Sequence, residues 1–427
     1  MLPIYEIENT DADEREYAAA QLTYEILHSL VEIEGYPDNL VIAAIGTVFR
    51  GNERLLQTKH LMQFLLCCRD FGIQKTWEAA LFCGWFCHVD QPLLPNLRLD
   101  LNSMSATDCK NKFRFNQDQL KEILAHFPFP EIIIAEQRDR VHLIEAFCLV
   151  MRRLSYPVKW TDLKDEFGRH GSALCRIFFY MMRMLLSRTM PYILLLPTSV
   201  ARLESYRQAF VEKGVPAELQ IAFALDAKKH FSCRPTKGQR SQYSVHKKGH
   251  GFKYQTVESP DGLIIHCSRS SDGRRADPCI LRDSNLLEVW RRHPVLRNGY
   301  RMVADSAYPN NDVVTLLYKK PRYGELAEHQ RVLNSLLSPP RTSVEWGYLK
   351  IVTLWAFLDF KKQMMMLKSP IESFWHMSVW LTNLHTCVNG GNLISDYFGL
   401  SPPTAGEFLT MTLSGHDPVH HALVDNP

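Results

Sequence analysis

Two short apolar runs, each closed by an aspartate, constrain this chain more than any other feature. They are LQIAFALD, ending at Asp226, and RMVAD, ending at Asp305. Unbroken apolar runs of this length read as buried strands. An acid directly after such a strand stands at the sheet's end, where α/β proteins place their ligands. A third carboxylate, Glu345, lies in RTSVEWGYLKIVTLWAFLDF, residues 341–360. Here Val344, Tyr348, Ile351, Val352, Trp355 and Leu358 recur at three- and four-residue spacing, which predicts a helix with one apolar face and Glu345 beside it, near the helix start. Arg341, one turn back, offers an ion-pair partner, and taken alone Glu345 is an ordinary capping acid. Two strand-end aspartates upstream change that assessment. Three carboxylates so placed suit a pair of divalent cations about 3.5–4 Å apart, the arrangement used for phosphodiester chemistry. Hard oxygen donors without a Cys/His cage favour magnesium or manganese over zinc.

The surrounding pattern gives an element order. After LQIAFALD, the runs GFKYQTVES and LIIHCSR flank Pro260-Asp261-Gly262, a hairpin signal. SNLLEVWRRH suggests a helix, RMVADS and DVVTLLYK two further strands, and the helix bearing Glu345 follows. Upstream the chain reads as helical. In KWTDLKDEFGRHGSALCRIFFYMMRML, Thr161 is placed to cap a short helix holding Leu163 and Phe167. Gly168 allows a turn, and Ser172 is placed to cap a longer helix holding Leu174, Ile177, Phe178 and Met181. Helix, glycine turn, helix is the helix-turn-helix pattern, which any αα-hairpin shares. Arg169, His170 and Arg176 are its candidate DNA contacts; a purely structural helical domain is the alternative.

Five segments in order, LDAKKHF, YSVHKKGHGFKYQTVESPDGLIIHC, GRRADPCILRDS, VADSAYP and RTSVEWGYLK, resemble the catalytic domain of PIF/Harbinger-type DDE transposases. The likeness extends back through a helical segment at 111–190 and forward to FGLSPPTAGEFL. It implies an RNase H-like α/β fold, preceded by all-α domains that include the helix-turn-helix. In such a fold Asp226, Asp305 and Glu345 come together as catalytic residues holding two Mg²⁺ (or Mn²⁺) ions. It further implies double-stranded DNA as substrate, with cleavage at terminal inverted repeats and joining to a short AT-rich target. A separate Myb-like accessory protein, a homo-oligomeric assembly and a nuclear location belong to the same expectation. Lys228, Lys247, Lys248 and Lys253 are candidate phosphate contacts. His246 and His250 either share that role or pack the strand they flank. Asp277 in GRRADP matches an acidic family position and ranks as secondary, since Asp before proline is also a turn former. The chain departs from the family where Ala-Lys-Lys-His follows Asp226, the family usually having Gly-Thr-His. It also has Trp-Gly after Glu345, where Phe-Gly is common soon after the glutamate.

The domain plan follows: an acidic helical region at 1–110, a helical DNA-binding region at 111–200, the catalytic domain at 201–400 and a Pro-rich, loose tail at 401–427, with a linker near 91–112. The overall net charge of +3 conceals an asymmetry. Residues 1–110 hold 8 Lys/Arg against 16 Asp/Glu, whereas residues 226–301 hold 16 against 7. A basic block around the proposed centre fits a phosphate backbone, and a solvated surface is the alternative. The acidic segment suits protein interaction or dimerisation as well as it suits a helical extension packed on the core. The 11 cysteines show no repeating spacing, which points to reduced thiols. Cys83, Cys87 and His88 lack a second ligand pair at zinc-finger spacing. The apolar stretch FFYMMRMLLSRTMPYILLLP is broken by Arg183, Arg188 and Pro191 and is not expected to span a membrane. MLPIYEIENTDADERE is acidic, unlike a secretory signal. No Walker-type loop appears, which argues against an ATP-driven motor. Two other functions compete with the transposase: a host-recruited DNA-binding adaptor without catalysis, and an RNase H-like nuclease that cuts without joining.

Overall fold

The computed structural model describes residues 58–72, 75–76, 79–80, 98–135, 138–194, 199–245 and 247–413. The chain divides into two compact units, Met1–Leu93 and Leu94–Pro427. In the first, helix α1 (Thr58–Phe71) is described, with Phe64 and Cys68 buried. The acidic segment before residue 58, together with Cys83, Cys87 and His88, lies outside the described residues.

The second unit is built on a mixed sheet. Strands β1 (Ile132–Ile134) and β2 (Arg140–His142) form a separate small hairpin. The main sheet holds β3 (Ile221–Phe231), β4 (Tyr243–Ser244), β5 (Gly249–Glu258), β6 (Ile264–Cys267), β7 (Ser271–Asp272), β8 (Arg301–Ala304) and β9 (Val314–Leu316). Its long strands run in the order β6-β5-β3-β8-β9, with β5 antiparallel to both β3 and β6, and β3, β8 and β9 mutually parallel. Three strands, helices, two strands and a helix is the order the sequence predicts, and this sheet is compatible with an RNase H-like domain.

Residues 221–225 of β3 are wholly buried because both faces of the sheet are covered. On one face Phe223 meets the ring edges of Tyr206 and Trp290 at 5.6 and 5.1 Å. Those rings come from α7 (Val200–Glu212) and α9 (Leu286–Arg292), the latter preceded by α8 (Asp277–Asp283). On the other face lie α10 (Glu328–Leu354) and the almost fully buried α11 (Ile371–Val388), whose Trp375 stacks on Tyr254 of β5 at 4.7 Å.

The helices before the sheet are α2 (Ala106–Phe113), α3 (Gln117–Ala125), α4 (Leu143–Ser155), α5 (Trp160–Phe167) and α6 (Gly171–Leu194). They share one hydrophobic core with the sheet, running from Leu101 to Leu413, and make no separate compact unit. The linker expected near 91–112 gives way to α2, whose cap is Ser105. The helix–glycine–helix pattern is present as α5, Gly168 at φ 58° and α6, with Leu163, Phe167, Leu174, Ile177, Phe178 and Met181 all buried. Its caps differ from expectation. Lys159 occupies the first cap position, and α6 starts at Gly171, so Thr161 and Ser172 lie inside their helices.

The helix carrying Glu345 also starts earlier than expected, at Glu328, and includes Pro339 and Pro340. Each proline removes a backbone donor, which makes the pair resemble a boundary in sequence. Glu345 therefore sits well inside α10 rather than near its start. A 3₁₀ turn, Ala356–Asp359, follows. Beyond α12 (Leu393–Phe398), the first part of the segment expected to be loose, 401–427, forms α13 (Ala405–Leu413), with Phe408, Leu409 and Leu413 buried, and residues 414–427 lie outside the described residues. Among the described residues no helix is long and apolar enough to cross a membrane.

Candidate active site

The sheet register brings two of the three acids together. Leu225 of β3 is the parallel partner of Ala304 of β8, so Asp226 and Asp305, each one residue further on, stand side by side. Asp305 directly follows its strand as expected, but β3 continues to Phe231 because it stays paired with β5, so Asp226 lies in mid-strand rather than closing it. Parallel neighbours are about 4.8 Å apart. Asp226 is half-buried, and its Oδ1 accepts a hydrogen bond from the amide of Ala227 at 2.8 Å. Asp305 is exposed, and its Oδ1 accepts from the amide of Ser306 at 2.6 Å.

Helix α10 supplies the third acid. The Tyr348 hydroxyl donates to the Asp226 carbonyl at 2.9 Å, fixing the helix over β3 one turn from Glu345. Glu345 accepts from Arg341 Nη2 at 3.2 Å. Burial pushes the Asp226 carboxyl up to about 6, the charge of Arg341 opposes that rise, and the carboxylates of Asp277 and Glu345 add to it. All three side chains thus lie within electrostatic reach of Asp226. The Tyr308 ring is buried next to Asp226, Asp277 and Asp305, which join burial in raising its phenol well above the usual range, and its hydroxyl has no hydrogen-bond partner.

Asp277 opens α8 and is held by Lys253 Nζ at 2.6 Å. Lys253 is thereby committed to a carboxylate. Lys228, two residues beyond Asp226, is exposed, with its ammonium 5.3 Å from the centre of the Tyr348 ring. Lys247 and Lys248 are exposed in the turn before β5. His246 lies outside the described residues, and His250 packs its ring 5.1 Å from Tyr243. In the helical block, both arginines are engaged internally. Arg169 pairs with the buried Glu145 at 2.5 Å, and Arg176 pairs with Asp139 at 2.6 Å. His170 lies 2.8 Å from Ser172 Oγ.

Two features have no counterpart in the sequence reasoning. Glu258, at the end of β5, is buried with neither carboxylate oxygen hydrogen-bonded, and burial followed by the charge of Asp226 raises it well above the carboxylate range. It lies on the face of Asp226, since Asp226 pairs with Thr256 and Ala224 with Glu258 across the strands. Its carboxyl presses on α10 at Gly347, where an added Cβ would stand 2.1 Å from Oε1. The second feature is the set of supporting tyrosines, 308 and 348. Their only signal is position: one lies three residues past a strand-end aspartate, the other one turn past the helical acid.

The donor set fits divalent cations. It offers hard oxygens on adjacent parallel strands, where burial, with the neighbouring carboxylates adding to it, disfavours the ionised Asp226. Yet among the described residues no three His, Cys, Asp or Glu side chains converge closely enough to hold a metal ion. Glu345 is instead turned to Arg341.

Residues 225–383 match the family model described as DDE superfamily endonuclease, a span that begins one residue before Asp226 and includes Asp277, Asp305 and Glu345. The match supports a DDE transposase-like domain in this part of the chain, and with it a nuclease or transposase-like function. Comparisons with curated proteins and with solved structures give no match.

Proposed function

We propose that the protein is a metal-dependent DNA endonuclease that cuts and joins transposon ends, of the PIF/Harbinger type. The observation that carries this is the adjacency of Asp226 and Asp305, each one residue past the last parallel pair of β3 and β8, under a helix that supplies Glu345. These three residues would hold two Mg²⁺ or Mn²⁺ ions, which when bound activate the attacking water or 3′-hydroxyl and steady the leaving oxygen. The remaining roles belong to the chain itself. Tyr348 holds the helix against the Asp226 backbone, and Tyr308 walls the aspartates from the core. Lys228, Lys247 and Lys248 are exposed and suit DNA phosphates. Arg169 and Arg176 serve first as ion-pair partners within the helical block, so the DNA contacts of that block rest on His170 more than on the arginines. Terminal inverted repeats as substrate, an AT-rich target, a Myb-like accessory protein, a multimer and a nuclear setting complete the proposal.

The test is cleavage and joining of a terminal-repeat duplex with Mg²⁺ or Mn²⁺, with and without the accessory protein, comparing the native chain with Asp305→Ala. Metal-dependent cutting and joining that the mutant lacks is expected. Cutting without joining would leave a nuclease. Equal DNA binding by both proteins with no cutting by either would make the chain an adaptor.

A further inference from the structure

Arg341 occupies an unusual place among these acids. Its side chain is only 15% exposed, its Nη2 reaches Glu345 on the same helix at 3.2 Å, and its charge acts on Asp226 of the sheet. The guanidinium is therefore bonded to one proposed cation ligand and lowers the cost of ionising a second, on a different element, through its charge. An ordinary surface ion pair between residues four apart does not have this geometry, because both ends are normally in water. A second observation separates it further. Arg341 Nε is buried and has no acceptor, so the guanidinium is withdrawn from solvent without its donors being satisfied. A buried donor left unpaired is costly, and the usual reasons for keeping one are functional.

We propose that Arg341 is a built-in, exchangeable counter-cation of the acidic site. It holds Glu345 and faces Asp226 until divalent cations take those carboxylates, and its freed guanidinium then turns to a DNA phosphate. It is a positioning residue: it sets where Glu345 stands before loading and competes with the cation for it. Glu345, bonded to an arginine on its own helix, has to give up that contact to serve as a cation ligand. This inference rests on the metal-dependent reading above.

Mn²⁺ affinity, measured by calorimetry without DNA on the full chain, tests it with Arg341→Gln, Arg341→Lys and Asp226→Asn. Removing the competing charge in Arg341→Gln should tighten Mn²⁺ binding about five- to tenfold, as expected for the loss of a like charge beside the ion, and should lower the melting temperature of the cation-free protein. Arg341→Lys keeps a charge but loses the fork and should give a smaller gain. If Arg341→Gln does not fold, Arg341→Lys carries the comparison, and no gain in affinity there overturns the proposal. Binding that is lost in Asp226→Asn but unchanged or weakened in the folded Arg341 variants also overturns it, and leaves the metal reading standing. Absence of Mn²⁺ binding in all proteins, native included, overturns both.

Discussion

Gly347→Ala tests how tightly the catalytic helix is held to the sheet. An alanine Cβ at this position would stand 2.1 Å from Oε1 of Glu258 and 2.5 Å from its Cδ and Oε2. In an ordinary helix interior the change would gain roughly 0.8–1 kcal/mol from helix propensity. Here the clash decides the sign. Glu258 is only 2% exposed, so its carboxyl must move within the packed core to yield, and α10 is fixed by buried Val344, Tyr348 and Ile351 and by the Tyr348–Asp226 hydrogen bond. Overpacking of this kind costs about 1–3 kcal/mol, so after the helix-propensity gain a net loss centred on about 1 kcal/mol, and reaching about 2, is expected. Urea denaturation of Gly347→Ala, Glu258→Ala and the double variant gives the answer. The double variant should recover at least about 1 kcal/mol relative to additivity, because residues in contact couple by that order. Cleavage should follow the same pattern, since lifting α10 by about 1 Å displaces Glu345, and misplacement on that scale costs around 10²-fold. A Gly347→Ala protein as stable as the native chain, or a double variant showing simple additivity, would refute the view that Glu258 and α10 form a fixed contact.

Three other outcomes follow from named groups. Asp226 rises from 3.8 to about 6 in the folded chain, so between those values the native state holds more proton than the unfolded one. Cation-free stability should therefore fall as pH rises through that window, by up to roughly 3 kcal/mol from this group; urea midpoints at pH 4 and 7 should show it, and Asp226→Asn should flatten the difference. Arg202→Ala should cost about 3 kcal/mol in thermal or urea unfolding, because it strands the fully buried Asp261, which Arg202 holds at 2.6 Å and Tyr206 at 2.5 Å. Finally, Lys247→Ala and Lys248→Ala should each lower the salt slope of DNA binding by about 1, while Arg169→Ala should lower stability and leave the slope alone, its guanidinium being engaged with Glu145.

The sheet was legible where local sequence carries the physics. IAFAL and RMVA admit little but buried strands, and the aspartates that follow them fall side by side once the strands pair in parallel, although AKKHF, polar in sequence, continues the strand past Asp226 through its pairing with β5. The limits of helices were harder to read. Pro339 and Pro340 mimic a boundary that the packed helix ignores. The prolines before α13 suggest a loose tail, although Thr404 and Glu407 carry a reciprocal N-terminal cap, with the Thr404 amide donating to Glu407 at 2.8 Å. Least legible were the partners of charge. Arg169 and Arg176 find carboxylates 24 and 37 residues away, and only the tertiary fold brings Glu145 and Asp139 to them. A surface role for those arginines was reasonable from sequence because nothing local reveals an ion pair formed across the fold.

Helix α10 concentrates the variables of the site in one rigid element. Arg341, Glu345, Gly347 and Tyr348 fall within two turns, and each meets a different restraint: a counter-charge, solvent, a buried carboxyl and a backbone carbonyl. A displacement of the helix cannot alter one of these without altering the others. The buried Glu258 makes the coupling sharper, because its carboxyl sits between Gly347 and the strand row that ends in Asp226, and gains or loses charge under the influence of that aspartate. Ionising Asp226 therefore raises the cost of charging Glu258, and Glu258 lies against the helix that carries the third acid, so the first and third acids are linked through the core as well as across the site.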